Sequence, residues 1–319
     1  MPRPSPSLPS SRSAPWLVAL GAALWGTESA FRIPLSRHLS SEVIVLYEHV
    51  VLVLMFLPWL VVPLRRGELW QIRRRTWGYL LFSGTAGSAV GAVLFTEALR
   101  RGNPTVVNVM LNLQPVLSTT FAWLLFRDRL SRGFYLWAAV AVLSGAALSL
   151  ERPETFLTTL GQRGLDAGAF WALLCALCWG LSTVAGRGIM MEMRLGLAAA
   201  LRVVIGLVCM IAVVALRAAG ASLWPPAQHA GQVAWQLVLL ATVSGGLPLL
   251  LYFQGLKGTR ASTAGYFEMM QTLAAVVITW GVFGHALRPH QITAGVVLIC
   301  AVALLKRAQR AVEDLPTGG

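Results

Sequence analysis

Charge is scarce in this chain of 319 residues, and acidic charge most of all. Asp and Glu total 13, with Asp only at positions 128, 166 and 314. All charged types together reach 12%, about half the roughly 25% usual in soluble domains. A water-soluble enzyme of this length needs far more charged surface, so that class is excluded. Three scattered aspartates form no carboxylate cluster for Mg²⁺, and the chain has neither an HExxH pair for zinc nor a P-loop for ATP. No cofactor, no metal and no catalytic residue are expected. An intramembrane transferase is the weaker alternative. Cysteine is also sparse, at four residues, which excludes a disulfide framework. Cys175 and Cys178 form a CxxC inside an apolar run, with no second pair and no nearby His, and read as core packing.

What is abundant is apolar. Hydrophobic residues make up 56% and mean hydropathy is +0.66. The net charge of +13 would suit nucleic acid in a soluble protein. Here the bases sit in short clusters between apolar runs, so they orient loops, and no nucleic acid partner is expected. A helix crossing the roughly 30 Å hydrocarbon layer needs about 20 apolar residues. Ten runs qualify: 15–34, 42–63, 77–99, 103–126, 134–150, 167–191, 195–219, 232–256, 261–284 and 290–306. The backbone of each must satisfy its own hydrogen bonds, and runs this uniformly apolar do not alternate as barrel strands would. The expected fold class is an all-α integral membrane protein of ten transmembrane helices.

Residues 1–14, rich in Pro and Ser, read as a disordered cytoplasmic tail, and 308–319 as a second one. The first apolar run continues past Trp25 without a small-residue cleavage site and reads as a retained helix rather than a signal peptide. With the N-terminus inside, segments on the cytoplasmic side hold 17 Lys and Arg against 8 outside. That asymmetry places both termini in the cytoplasm. The excess of Arg (24) over Lys (2), with abundant Ala, Gly and Leu, suggests a bacterial inner membrane.

The chain repeats itself. Trp25-Gly26 recurs as Trp179-Gly180 at an offset of 154. At an offset of 157, Leu99, Gln114, Trp123, Phe126 and Leu130 match Leu256, Gln271, Trp280, Phe283 and Leu287. Residues 15–150 and 167–307 are thus two five-helix copies joined by a periplasmic linker, 151–166. Five is odd, so the second copy enters from the opposite side, and the halves form the inverted pair that alternating-access carriers use.

Ala23-Leu24-Trp25-Gly26, Asn112-Leu113-Gln114-Pro115-Val116, Leu251 to Lys257, Gln271 to Gly284 and Gln291 to Gly295 together resemble the drug/metabolite transporter superfamily, in its ten-helix EamA-type form. The resemblance covers nearly all of 15–307. It implies export or exchange of small metabolites such as amino acids, through a central cavity lined by helices 1, 3, 4, 6, 8 and 9. The family commonly closes the fourth helix of each repeat with Gly-Glu-Arg-Leu. This chain departs with Asp128 in the first copy and His285 in the second.

Ionisable groups at membrane depth usually face a cavity or a partner. Glu28 shares a helical face with Gly21, Trp25 and Arg32, and either pairs with Arg32 at i,i+4 or binds a substrate amine or a coupling proton. Glu268, with Ala264, Gln271 and Ala275 on its face and no base within one turn, reads as a binding wall. Thr105, Asn108, Asn112, Pro115 and Thr119 form a polar stripe along helix 4, read as a wet face. Expected substrate contacts are Trp25, Glu28, Asn108, Asn112, Trp179, Ser182, Glu268 and Gln271, with Glu28 and Glu268 as proton-coupling candidates. Glu48 and Arg202 are expected to form a structural charge pair, and Glu97 to be solvated or paired beside Arg100 and Arg101. The expected partners are a small-molecule substrate and the lipid bilayer, in a monomer or homodimer. An uncoupled facilitator of the same architecture is the alternative function.

Overall fold

The computed structural model describes residues 13–102, 104–128, 130–150, 167–217, 222–283 and 287–313. The expected linker 151–166, residues 1–12 and 314–319 of the two expected tails, and His285 lie outside the described residues. Every regular element described is helical. The first half contains α1 (Ala14–Trp25), α2 (Glu28–Leu35), α3 (Ser41–Arg65), α4 (Arg74–Phe82), a π-helical stretch (Ser83–Val90), α5 (Gly91–Arg101), α6 (Pro104–Leu111), α7 (Gln114–Phe126) and α8 (Arg132–Ser149). The second half contains α9 (Ala167–Met190), α10 (Leu195–Arg217), α11 (Ala230–Leu239), a second π-helical stretch (Leu240–Gly246), α12 (Leu247–Lys257), α13 (Ala261–Glu268), α14 (Met270–Phe283) and α15 (Pro289–Glu313).

Eight helical runs among the described residues are long and apolar enough to cross a membrane. The expected spans 15–34 and 261–284 are not among them, because turns at Gly26–Thr27 and at Met269 divide each into two shorter helices. In both turns the backbone tightens to i−3 hydrogen bonds, Thr27 N to Leu24 O at 3.1 Å and Met269 N to Tyr266 O at 3.3 Å. α15 runs to Glu313, so residues 308–313 of the expected tail are helical.

The principal packing pairs join the two halves: α3 with α10, α8 with α15, α1 with α12, and α5 with α9. Glycines permit the closest approaches. A Cβ on Gly26 would lie 2.6 Å from the Gln271 carbonyl oxygen, and one on Gly255 would lie 2.7 Å from the Ala14 carbonyl oxygen. Any larger residue there would push α1 off its neighbours, as expected of small-residue helix interfaces in lipid. The buried core around these contacts includes Phe56, Phe134, Phe253, Phe267 and Leu298.

One local strain is visible in both sequence and backbone. Arg127 ends α7 with φ 54°, the left-handed conformation that glycine adopts freely. It stands where the family pattern has Gly, and the second copy keeps Gly284. Arg127→Gly is therefore expected to raise stability by about 0.5–1 kcal/mol, the left-handed penalty less the added freedom of the unfolded chain. The thermal midpoint of the detergent-solubilised protein measures it; an unchanged or lower midpoint contradicts it.

Candidate functional site

Five of the ten expected spans are interrupted: at 26–27, 83–90, 112–113, 240–246 and 269. Each interruption adjoins residues that line one cavity of mixed polar and apolar character between the halves. Trp25 and Glu28 flank the first, Gly87 and Ser88 lie in the second, and Gln114 follows the third. Ser244 and Gly245 lie in the fourth, while Glu268 and Gln271 flank the fifth. Local departures from the α-helical ladder cost backbone hydrogen bonds, and they concentrate at functional sites. The cavity has a volume of ≈ 90 Å³, room for a few waters.

Two buried polar clusters dominate its wall. In the first, Arg32 bridges two carboxylates. Its Nε donates to Glu28 Oε2 at 2.8 Å and its Nη2 to Glu48 Oε2 at 2.8 Å. Both alternatives for Glu28 placed it against a cavity or against Arg32, and it has both. The expected Glu48–Arg202 pair does not form. The short connection at 36–40 leads from α2 into α3, and Arg32 takes up the Glu48 carboxylate instead. His49 extends this cluster, with Nε2 3.0 Å from Ser88 Oγ and Nδ1 2.8 Å from the Val45 carbonyl oxygen.

In the second cluster Glu268 is fully served by neutral donors. Tyr252 Oη donates to its Oε1 at 2.8 Å, Gln114 Nε2 donates to its Oε2, and Thr183 Oγ1 lies 2.9 and 3.1 Å from the two oxygens. These donors come from α12, α7 and α9, so Glu268 ties three helices to α13. Trp25 lies against the Tyr252 ring, centroids 4.8 Å apart, and Trp179 against Phe95 at 5.4 Å. Arg202 lines the same cavity while its guanidinium lies over the Phe253 ring at 5.5 Å.

Of the eight expected substrate contacts, Trp25, Glu28, Trp179, Ser182, Glu268 and Gln271 line the cavity. Asn108 and Asn112 do not. Asn112 Nδ2 donates to Ser149 Oγ at 3.1 Å, and its Oδ1 accepts from Thr272 Oγ1 at 3.2 Å. Thr119 Oγ1 donates to the Ser262 carbonyl oxygen at 3.2 Å. The described part of the stripe on helix 4 thus bonds to α8, α13 and α14 instead of facing a wet space. The tightened turn at 112–113 presents Gln114 to the cavity in its place. In the sequence Gln114 stands out as the repeat match of Gln271 and within the Asn112–Val116 motif, and the match is the signal for it.

Glu97 sits away from this cavity, paired with Arg100 and Arg101 at 2.6 Å each and accepting from Ser41 Oγ at 2.7 Å. Among the described residues no group of His, Cys, Asp and Glu is arranged to hold a metal ion.

The cavity lining pairs up across the two copies. At the offset of 154, Trp25 matches Trp179, Glu28 matches Ser182, Glu48 matches Arg202 and His49 matches Val203. At 157, Gly87 matches Ser244, Ser88 matches Gly245, Ala92 matches Leu249 and Gln114 matches Gln271. Every residue in these eight pairs lines the cavity.

A chain whose described elements are all helical, with eight membrane-length apolar runs among the described residues and a cavity with buried charged groups between its halves, is a multi-pass membrane protein. Residues 12–150 and 166–307 each match the EamA-like transporter family, and the chain belongs to that family. It is a membrane transporter. It is similar to the riboflavin transporter ImpX of Fusobacterium nucleatum subsp. nucleatum, 27% identical over 301 residues that cover 91% of this chain and 96% of the relative. A solved crystal structure that is 18% identical matches its fold with a TM-score of 0.73, over 95% of this chain and 100% of the other.

Proposed function

We propose that this protein moves small amphipathic metabolites across a bacterial inner membrane by alternating access. In this reading the ten apolar runs are ten spans in two antiparallel five-helix copies, with both termini in the cytoplasm. The observation that carries the reading is that eight repeat-related pairs supply most of the cavity lining. A pocket lined in that way straddles the axis relating the copies, which is where exchanging their conformations opens it first to one side and then to the other. The space present holds only a few waters, so a metabolite enters through widening at the helix interruptions.

Glu28, Trp25, Trp179, Ser182, Glu268 and Gln271 form the substrate surface, with Glu28 and Glu268 as carriers of a coupling proton. Asn108 and Asn112 are released from that role. The riboflavin-transporting relative and the two tryptophans make riboflavin the first substrate to test, and amino acids the second.

Proteoliposomes loaded with unlabelled substrate are expected to take up labelled riboflavin or a labelled amino acid several-fold faster than empty ones. Failure of every tested metabolite to show counterflow overturns the transport reading for these substrates. An imposed pH gradient then separates two modes. A coupled carrier concentrates its substrate in response, whereas an uncoupled facilitator only equilibrates it.

A further inference from the structure

Arg202 is a buried cation without a bonded counter-ion. Its side chain lines the cavity, the residue is 8% exposed, and its Nε has no hydrogen-bond partner. Among the described residues, no carboxylate lies within salt-bridge distance of it. Glu28 and Glu48 are both engaged by Arg32, and Glu268 by Gln114, Thr183 and Tyr252. Phe253 covers one face of the guanidinium and supplies no acceptor. Arg32 leaves a second unpartnered donor, Nη1, in the same wall. Burying a guanidinium is costly unless its charge and its fork of N–H donors are both met, and an anionic oxygen meets both at once. A neutral carbonyl would satisfy the donors and leave the charge.

We propose that Arg202 is the docking point for an anionic oxygen of the transported molecule, a carboxylate or a phosphate, with its flat apolar part against Trp25 and Tyr252. The inference rests on the cavity being the substrate site. Glu28 and Glu48 each meet Arg32 through one oxygen. Their other oxygens can receive an ammonium, so a zwitterionic carboxylate suits this wall as well as a phosphate ester does.

Two matched pairs of probes separate the sources. L-tryptophan and L-tryptophanamide differ by a carboxylate charge; flavin mononucleotide and riboflavin differ by a phosphate. Affinities come from ligand-dependent thermal shifts of the purified full-length protein in detergent. In wild type, the anionic member of one pair is expected to bind at least about tenfold tighter than its partner, in line with charge-assisted hydrogen bonding. A carboxylate site shows this with the tryptophan pair, a phosphate site with the flavin pair. Arg202→Gln is expected to erase that preference and Arg202→Lys to keep part of it. A loss of binding common to both members of a pair would mark a structural role and overturn the proposal. So would the absence of any anion preference in wild type. An anion preference without counterflow of the same molecule would leave the site standing and sink the transport reading alone.

Discussion

Arg32→Gln is expected to destabilise the protein by about 3–5 kcal/mol, the range for removing one partner of a buried charge pair. The side chains of Arg32, Glu28 and Glu48 are 2%, 10% and 6% exposed, so bulk water screens their charges little. Two carboxylates that now share one guanidinium would be left facing each other without it. The thermal midpoint and the fraction eluting as a single species in detergent measure the effect. The triple variant Glu28→Gln, Arg32→Gln, Glu48→Gln is expected to recover most of the loss, because it removes all three charges and keeps amides that can bond to one another. A triple variant as unstable as Arg32→Gln would show that side-chain shape, not charge, sets the cost. Removing Arg100 and Arg101 gives the contrast. They are 43% and 57% exposed, so their bonds to Glu97 are screened and each substitution is expected to cost less than about 1 kcal/mol.

Glu268 is expected to separate folding from transport. Glu268→Gln keeps the size of the side chain, and the amides of residues 114 and 268 can rotate to bond each other. Its stability is expected to stay within about 1 kcal/mol of wild type. Its counterflow is expected to fall on the order of 100-fold, because the charge that faces the cavity is gone. Glu268→Leu is a different lesion. It strips the acceptor from Gln114. Tyr252 and Thr183 keep Thr183 Oγ1 and the Trp179 carbonyl oxygen as acceptors, so the expected cost is about 1–3 kcal/mol for the one buried donor left unmade. A Glu268→Gln protein that transports at the wild-type rate would refute a functional charge at this position. One that fails to fold would refute the assignment of its hydrogen bonds.

The helices and their tendency to pair across the halves were legible in sequence, because apolar run length and a two-copy pattern are properties of composition and spacing. The cavity was largely legible too. A charged or aromatic group in an apolar run has few other places to go, and six of eight expected contacts line it. The interruptions at 26–27 and 269 were not legible, since neither site carries a helix-breaking proline and both lie inside runs that scan as continuous. The error over Asn112 follows directly. A straight helix 4 puts Asn112 on the inner stripe, but the turn beside it sends Asn112 to Ser149 and brings Gln114 inward. The clue to Arg32 with Glu48 was their closeness in sequence, 16 residues apart across one short connection. Their neighbour Arg202 gave no such clue, because its contacts come from helices distant in sequence.

The interrupted helices carry a thermodynamic consequence. The uninterrupted α3, α8, α9, α10 and α15 can hold the scaffold, and α3, α9 and α10 also carry Glu48, Trp179, Ser182 and Arg202 of the cavity wall. Trp25, Glu28, Glu268 and Gln271 are mounted beside segments with missing or shared backbone bonds. Filling the cavity must order those segments, and the entropy lost subtracts from whatever the contacts gain. Under the proposed transport reading, grip on the cargo is weakened by the same looseness that allows its release.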